Sequence, residues 1–145
     1  MKIRGYTLIE VLIVIVIVAI LVTIAYPFYA NFVNSARRVD AMAAIAGLGL
    51  AQEQLRASCP FYGQNLGNAN VCGADAANTT VNYDALSSEG FYILSIVANS
   101  ATGNGYTVSA DPQNAQAGDS ECDPMTVTID AANPRGMRGP DGCWD

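Results

Sequence analysis

From Val11 to Ala36 the chain carries no ionisable side chain except the phenols of Tyr26 and Tyr29, and from Val11 to Ala25 only Thr23 interrupts the apolar residues. A spanning helix needs roughly 20 mostly apolar residues, so the run is long enough to enter a bilayer. Glu10 stands at its head. A carboxylate at mid-membrane costs about 2.5–3.5 kcal/mol on insertion scales, and unpaired burial in a protein core is no cheaper. Glu10 therefore needs a cation. Arg37 lies 27 residues downstream, about 40 Å along a helix at 1.5 Å per residue, and cannot reach it. Lys2 and Arg4 belong on the cytoplasmic side and can sit in water. A cut after Gly5 would create an α-amino group on Tyr6, four residues before Glu10 and mostly protonated at neutral pH.

A secretory signal peptide also has a basic start and an apolar run, with Thr23-Ile24-Ala25 as a weak cleavage site. A plain membrane anchor is the other simple reading. Neither explains the acid. Gly5-Tyr6-Thr7-Leu8-Ile9-Glu10 followed by aliphatic residues resembles the prepilin motif of type IV pilins and related pseudopilins. The resemblance implies cleavage between Gly5 and Tyr6 by a dedicated membrane peptidase and N-methylation of Tyr6. It also implies that Glu10 meets the Tyr6 amine of a neighbouring subunit as the helix joins a filament core; pairing within one chain also fits this spacing. Tyr6 where phenylalanine is usual and Val11 where leucine is common are small departures that keep apolar residues of suitable size.

Residues 6 to about 57 read as one long helix, with Pro27 its only strong stop signal. The expected divisions are a leader (1–5), a transmembrane and filament-core half (6–27), an amphipathic half (28–57) and an exported globular head (58–145). In the second half Phe28, Phe32, Val39, Ala43, Ala46 and Leu50 recur at helical spacing opposite Asn31, Asn34, Arg37, Arg38, Gln52 and Arg56, a stripe that predicts packing on a sheet. Gly47 and Gly49 each weaken the helix by roughly 1 kcal/mol and permit close approach or a local bend. Pro27 removes one donor and predicts a kink just upstream. The resemblance adds that about Ala19 to Tyr26 unwinds in filaments, and that Pro27, with Glu10, serves assembly.

Beyond the helix, residues 59–80 and the tail 133–145 read as loops, whereas Phe91–Ala98, Tyr106–Ala110 and Met125–Asp130 read as strands, with Gly103-Asn104-Gly105 as a turn between the first two. Four cysteines allow three connectivities. Local pairing of Cys59 with Cys72 and of Cys122 with Cys143 staples each irregular segment and contributes roughly 3 kcal/mol per bridge. An all-thiolate zinc site is the rival, without a close Cys-x-x-Cys pair to favour it. The expected fold is α+β: the long helix packed by its C-terminal half on a small antiparallel sheet with a disulfide-closed C-terminal loop. The layout is similar to the PilE-like branch of type IV pilins, where that loop faces outward.

Histidine is absent, which excludes histidine triads and His-containing zinc sites. Net charge is -6, and -8 after loss of Lys2 and Arg4, from 5 basic against 13 acidic side chains. Such a surface as a whole repels phosphate backbones. Asp119, Glu121 and Asp123 near Asp130 fit a solvated turn better than a calcium loop. Asn78-Thr79-Thr80 fits an acceptor sequon. Arg135 and Arg138 on the Gly- and Pro-rich tail, with Trp144 or Tyr62 as a stacking face, are candidate DNA contacts, though solvation is the simpler reading.

The reading is a non-enzymatic subunit of a type IV pilus, without cofactor or metal. It is an inner-membrane precursor that polymerises with itself or other pilins through its N-terminal helix into a cell-surface filament. The partners implied are a prepilin peptidase and the inner-membrane assembly machinery, and the family's roles are adhesion, twitching motility and DNA uptake. The alternatives are a DNA-binding minor pilin and a type II secretion pseudopilin.

Overall fold

The computed structural model describes residues 7–144, so the leader, the Gly5–Tyr6 cleavage site and the Tyr6 methylation site lie outside the described residues. Two compact units divide the chain, Met1–Asn34 and Ser35–Asp145. One helix, α1 (Leu8–Arg56), contributes to both.

In the first unit α1 begins at Thr7, whose Oγ1 accepts the Glu10 backbone N–H at 3.3 Å. Thr7-x-x-Glu10 has capping-box spacing, and here the Thr7 half of that motif is made. The large apolar side chains from Leu8 to Ile24 are 49% to 84% exposed. Only lipid or other helices can cover such a surface, and the segment is long and apolar enough to cross a membrane. α1 runs through Pro27 as one continuous helix. Proline withdraws a single donor from the ladder, and Thr23 Oγ1 donates to the Ile20 carbonyl at 2.7 Å beside it.

In the second unit α1 buries Ala41, Ala44, Ile45, Leu48, Gln52 and Leu55. This corrects the expected stripe: Phe28, Phe32, Val39 and Leu50 are 61% to 73% exposed, and Ala43 and Ala46 are exposed too. Both sets recur at three and four residues, and periodicity cannot choose between adjacent stripes on a helix with apolar residues on both. Packing chose the face on which Ala41 and Ala44 admit the sheet while Ile45, Leu48 and Leu55 fill the space beside them. Gln52, expected on the polar side, is fully buried. Its amide donates to the Gly63 carbonyl and accepts the Gly63 N–H, each at 2.8 Å, which satisfies both ends of a buried polar group.

The irregular segments hold more order than expected. Within residues 59–80, β1 (Asn65–Gly67) pairs in parallel with β2 (Thr80–Asn82), and a short 3-10 turn at Ala76–Asn78 is capped by the Asp75 side chain. Three-residue strands are too short to show a two-residue period. The main sheet orders β3 (Tyr92–Ile96), β4 (Tyr106–Pro112), β5 (Met125–Ile129) and β6 (Met137–Gly139) consecutively, all antiparallel. The first predicted strand is shorter than read, the second runs two residues further, and β6 lies in the presumed loop of the tail. Tyr92, Leu94, Ile96, Tyr106, Val108, Ala110, Met125 and Val127 face α1 and form the core with it. At Gly105 a Cβ would collide with the Ile129 carbonyl, and at Gly136 (φ +82) it would meet Val127 Cγ1 at 2.7 Å. Glycine is required at both.

Disulfides join Cys59 to Cys72 and Cys122 to Cys143, with Cα–Cα separations of 5.3 and 5.8 Å. The second ties the segment before β5 to the tail after β6. It holds Trp144, the next residue, against the edge of the sheet.

Burial raises the phenol pKa of Tyr62, Tyr83, Tyr92 and Tyr106, most of all Tyr106. These groups resist ionisation in the folded state but not in the unfolded chain. Their contribution to stability is complete below the ordinary tyrosine pKa of about 10 and is lost as pH rises above it. The melting temperature of the detergent-solubilised chain is expected to hold level to about pH 9.5 and fall beyond pH 10, with tyrosinate absorbance appearing only on unfolding for the buried rings.

Candidate nucleic-acid interface

The second unit holds five arginines and no lysine: Arg37, Arg38, Arg56, Arg135 and Arg138. Three are spent on the fold. Arg38 forms a bidentate pair with Asp119, Nε to Oδ2 and Nη2 to Oδ1 at 2.7 Å each, with the side chains 13% and 5% exposed. Asp119 also accepts from Gln116 Nε2 at 2.8 Å. This corrects the solvated acidic turn expected there: Asp119 is a buried counter-ion. Among the described residues no group of three or more His, Cys, Asp or Glu could hold a metal ion. Arg37 donates to the Ala115 carbonyl at 3.2 Å and lies 4.8 Å over the Phe91 ring. Arg56 donates to the Cys59 carbonyl at 2.6 Å and lies 5.1 Å over Tyr62.

Arg135 and Arg138 differ. Both are exposed, and neither meets a carboxylate or a hydrogen-bond acceptor among the described residues. Arg138 sits on edge strand β6 opposite Val127, and its guanidinium lies 5.3 Å over the Trp144 ring. The indole N–H donates to the Gly139 carbonyl at 3.3 Å, which sets the ring's orientation. Trp144 is therefore the aromatic partner of the pair. Tyr62 is placed elsewhere: it packs against Tyr106 with centroids 4.8 Å apart and planes tilted by 52°, and its hydroxyl donates to Glu53.

The two arginines and Trp144 border a groove of about 290 Å³. Met42, Ile45, Ala46 and Gly49 of α1 line one side, and Tyr106, Val108, Val127 and Ile129 of the sheet line the other. Among the described residues no carboxylate lines it. The cations and the indole are legible in the sequence and the groove is not; Ala46 and Gly49, small residues three apart on the helix, are its only local signal.

The chain contains two matches to known families. The family described as "Type IV minor pilin ComP, DNA uptake sequence receptor" matches residues 27–126. The "Prokaryotic N-terminal methylation motif" matches residues 1–26. Arg135, Arg138 and Trp144 lie beyond both. No curated protein and no solved structure gives a significant match.

Proposed function

The chain belongs to the family of the type IV minor pilin ComP, DNA uptake sequence receptor, and from that premise we propose that it is a minor pilin that binds DNA for uptake through its C-terminal tail. As a type IV pilin it is made as an inner-membrane precursor and exported into the extracellular pilus, assembling with other pilins after the action of prepilin peptidase. The proposal places cleavage between Gly5 and Tyr6 and methylation on Tyr6. It assigns Glu10 and Pro27 to assembly, and gives the chain a structural and binding role without catalysis. Of the sequence-based readings, the family match favours the DNA receptor over a general adhesion or motility subunit.

The observation that carries the DNA reading is the pair of exposed arginines without carboxylate partners among the described residues, in a unit whose other three arginines are engaged within the fold. Each phosphate neutralised by a cation releases condensed counterions and contributes about -0.9 to the slope of log K against log salt on duplex DNA. Detergent-solubilised full-length protein is expected to bind a fluorescent duplex with a slope near -2. Arg135→Ala and Arg138→Ala should each reduce it by about 0.9, and the double variant should lose measurable binding. Absence of duplex binding, or a slope that the double variant leaves unchanged, would overturn the assignment.

A further inference from the structure

We propose that the groove between α1 and β4–β5 receives one unpaired nucleobase of the bound DNA, while Arg135 and Arg138 take the phosphates that flank it. The inference rests on the DNA reading and specifies the form of DNA the site takes. At about 290 Å³ the groove lies at the small end of ligand pockets, which start near about 300 Å³. One flat base fits there, and a duplex does not. Its walls are apolar and its cations stand at the rim, an arrangement that suits a flat, weakly polar body attached to an anionic backbone. In a chain of net charge -6, a groove bordered by two exposed arginines, with no carboxylate in its lining among the described residues, offers a local cationic rim that attracts phosphate, and its apolar walls suit the flat base attached to that phosphate.

Two further observations point the same way. Trp144 lines the groove with its orientation set by its own N–H bond and by Arg138, and an indole held in place loses little freedom when a base stacks on it. Tyr106, also in the lining, is 2% exposed, and its phenol oxygen has no hydrogen-bond partner among the described residues. That oxygen lies 3.5 Å from the point a Cβ on Gly49 would occupy. The phenol oxygen is buried in the groove floor, and glycine puts no side chain of the helix beside it, so a small opening of the groove would let it bond the polar edge of a base. A buried hydroxyl without a partner is costly, and an entering acceptor or donor relieves it.

The test uses full-length protein in detergent and three fluorescent DNAs: a perfect duplex, the same duplex with one bulged nucleotide, and the single strand. The bulged duplex is expected to bind about tenfold more tightly than the perfect one, in the range of a single base–aromatic stack. With 2-aminopurine at the bulge, its emission should be quenched on binding. Ala46→Leu, which fills the groove from an exposed helix position, and Trp144→Ala should cut the tenfold preference to twofold or less and remove the quenching; thermal unfolding of each variant reports whether it is folded. Equal affinity for perfect and bulged duplex, or a preference that survives in folded Ala46→Leu, would overturn the base pocket and leave the arginine contacts standing. Failure to bind any of the three DNAs would overturn the DNA reading itself. Loss of self-association by Ala46→Leu in sedimentation, with the bulge preference intact, would instead make the groove a contact between copies and sink the proposal.

Discussion

Cells carrying Glu10→Gln are expected to hold the protein in the inner membrane at normal levels and to show no incorporation of it into sheared surface filaments. Glutamine keeps the volume of the side chain and suits the capping-box position after Thr7, so the helix start seen at Glu10 N–H and Thr7 Oγ1 is preserved. Only the charge is lost. In the proposed assembly, the carboxylate meets the Tyr6 amine in a core from which water is excluded. Removing one member of such a pair leaves the other buried and unpaired, at about 3 kcal/mol or more per subunit, which is over about 100-fold in the equilibrium for subunit addition. Glu10→Ala should behave alike, with a further small loss from the weaker helix start. Membrane insertion is spared because the aliphatic run is unchanged. Filaments that take up Glu10→Gln as readily as the parent chain would assign Glu10 to helix capping alone.

Asp119→Ala is expected to destabilise the second unit strongly. Arg38 and Asp119 are 13% and 5% exposed and join through two hydrogen bonds of 2.7 Å. Truncating the acid strands a largely buried guanidinium and removes the acceptor that Gln116 Nε2 uses. The cost is about 3 kcal/mol, toward the lower end for a broken buried pair because Arg38 retains some solvent. For a unit of this size the melting temperature should fall on the order of 10 °C. The double replacement Arg38→Met with Asp119→Leu should recover most of that loss, since apolar residues of similar volume often replace a buried ion pair without penalty. A single variant that melts within 2 °C of the parent would show that the pair adds nothing beyond surface screening.

Much of the architecture was legible along the chain. An uninterrupted apolar run headed by Glu10 constrains what can surround it, because a carboxylate and an aliphatic helix each demand a particular environment wherever they lie. The Tyr106, Val108 and Ala110 alternation of β4 and the Val127 face of β5 follow from the two-residue period of a half-buried strand. Cys122 and Cys143 sit at the ends of one loop-rich segment and are joined there. Each of these signals is local, or depends on residues close in sequence.

Other features were not local. Arg38 and Asp119 are 81 residues apart, and nothing near either one distinguishes a buried counter-ion from a solvated charge. The five arginines of the second unit look alike in sequence; three are drawn into the fold, while the tail leaves Arg135 and Arg138 exposed beside Trp144, without a carboxylate partner among the described residues. The buried face of α1 was likewise misassigned, since two apolar stripes shared one period and only the sheet decided which of them to cover. The sequence by itself determined a membrane-competent helix carrying a charge in need of a partner, and an α+β head. The tertiary structure alone decided which helix face, which cations and which groove remain available to a ligand, because burial and pairing depend on distances in space that composition and periodicity do not encode.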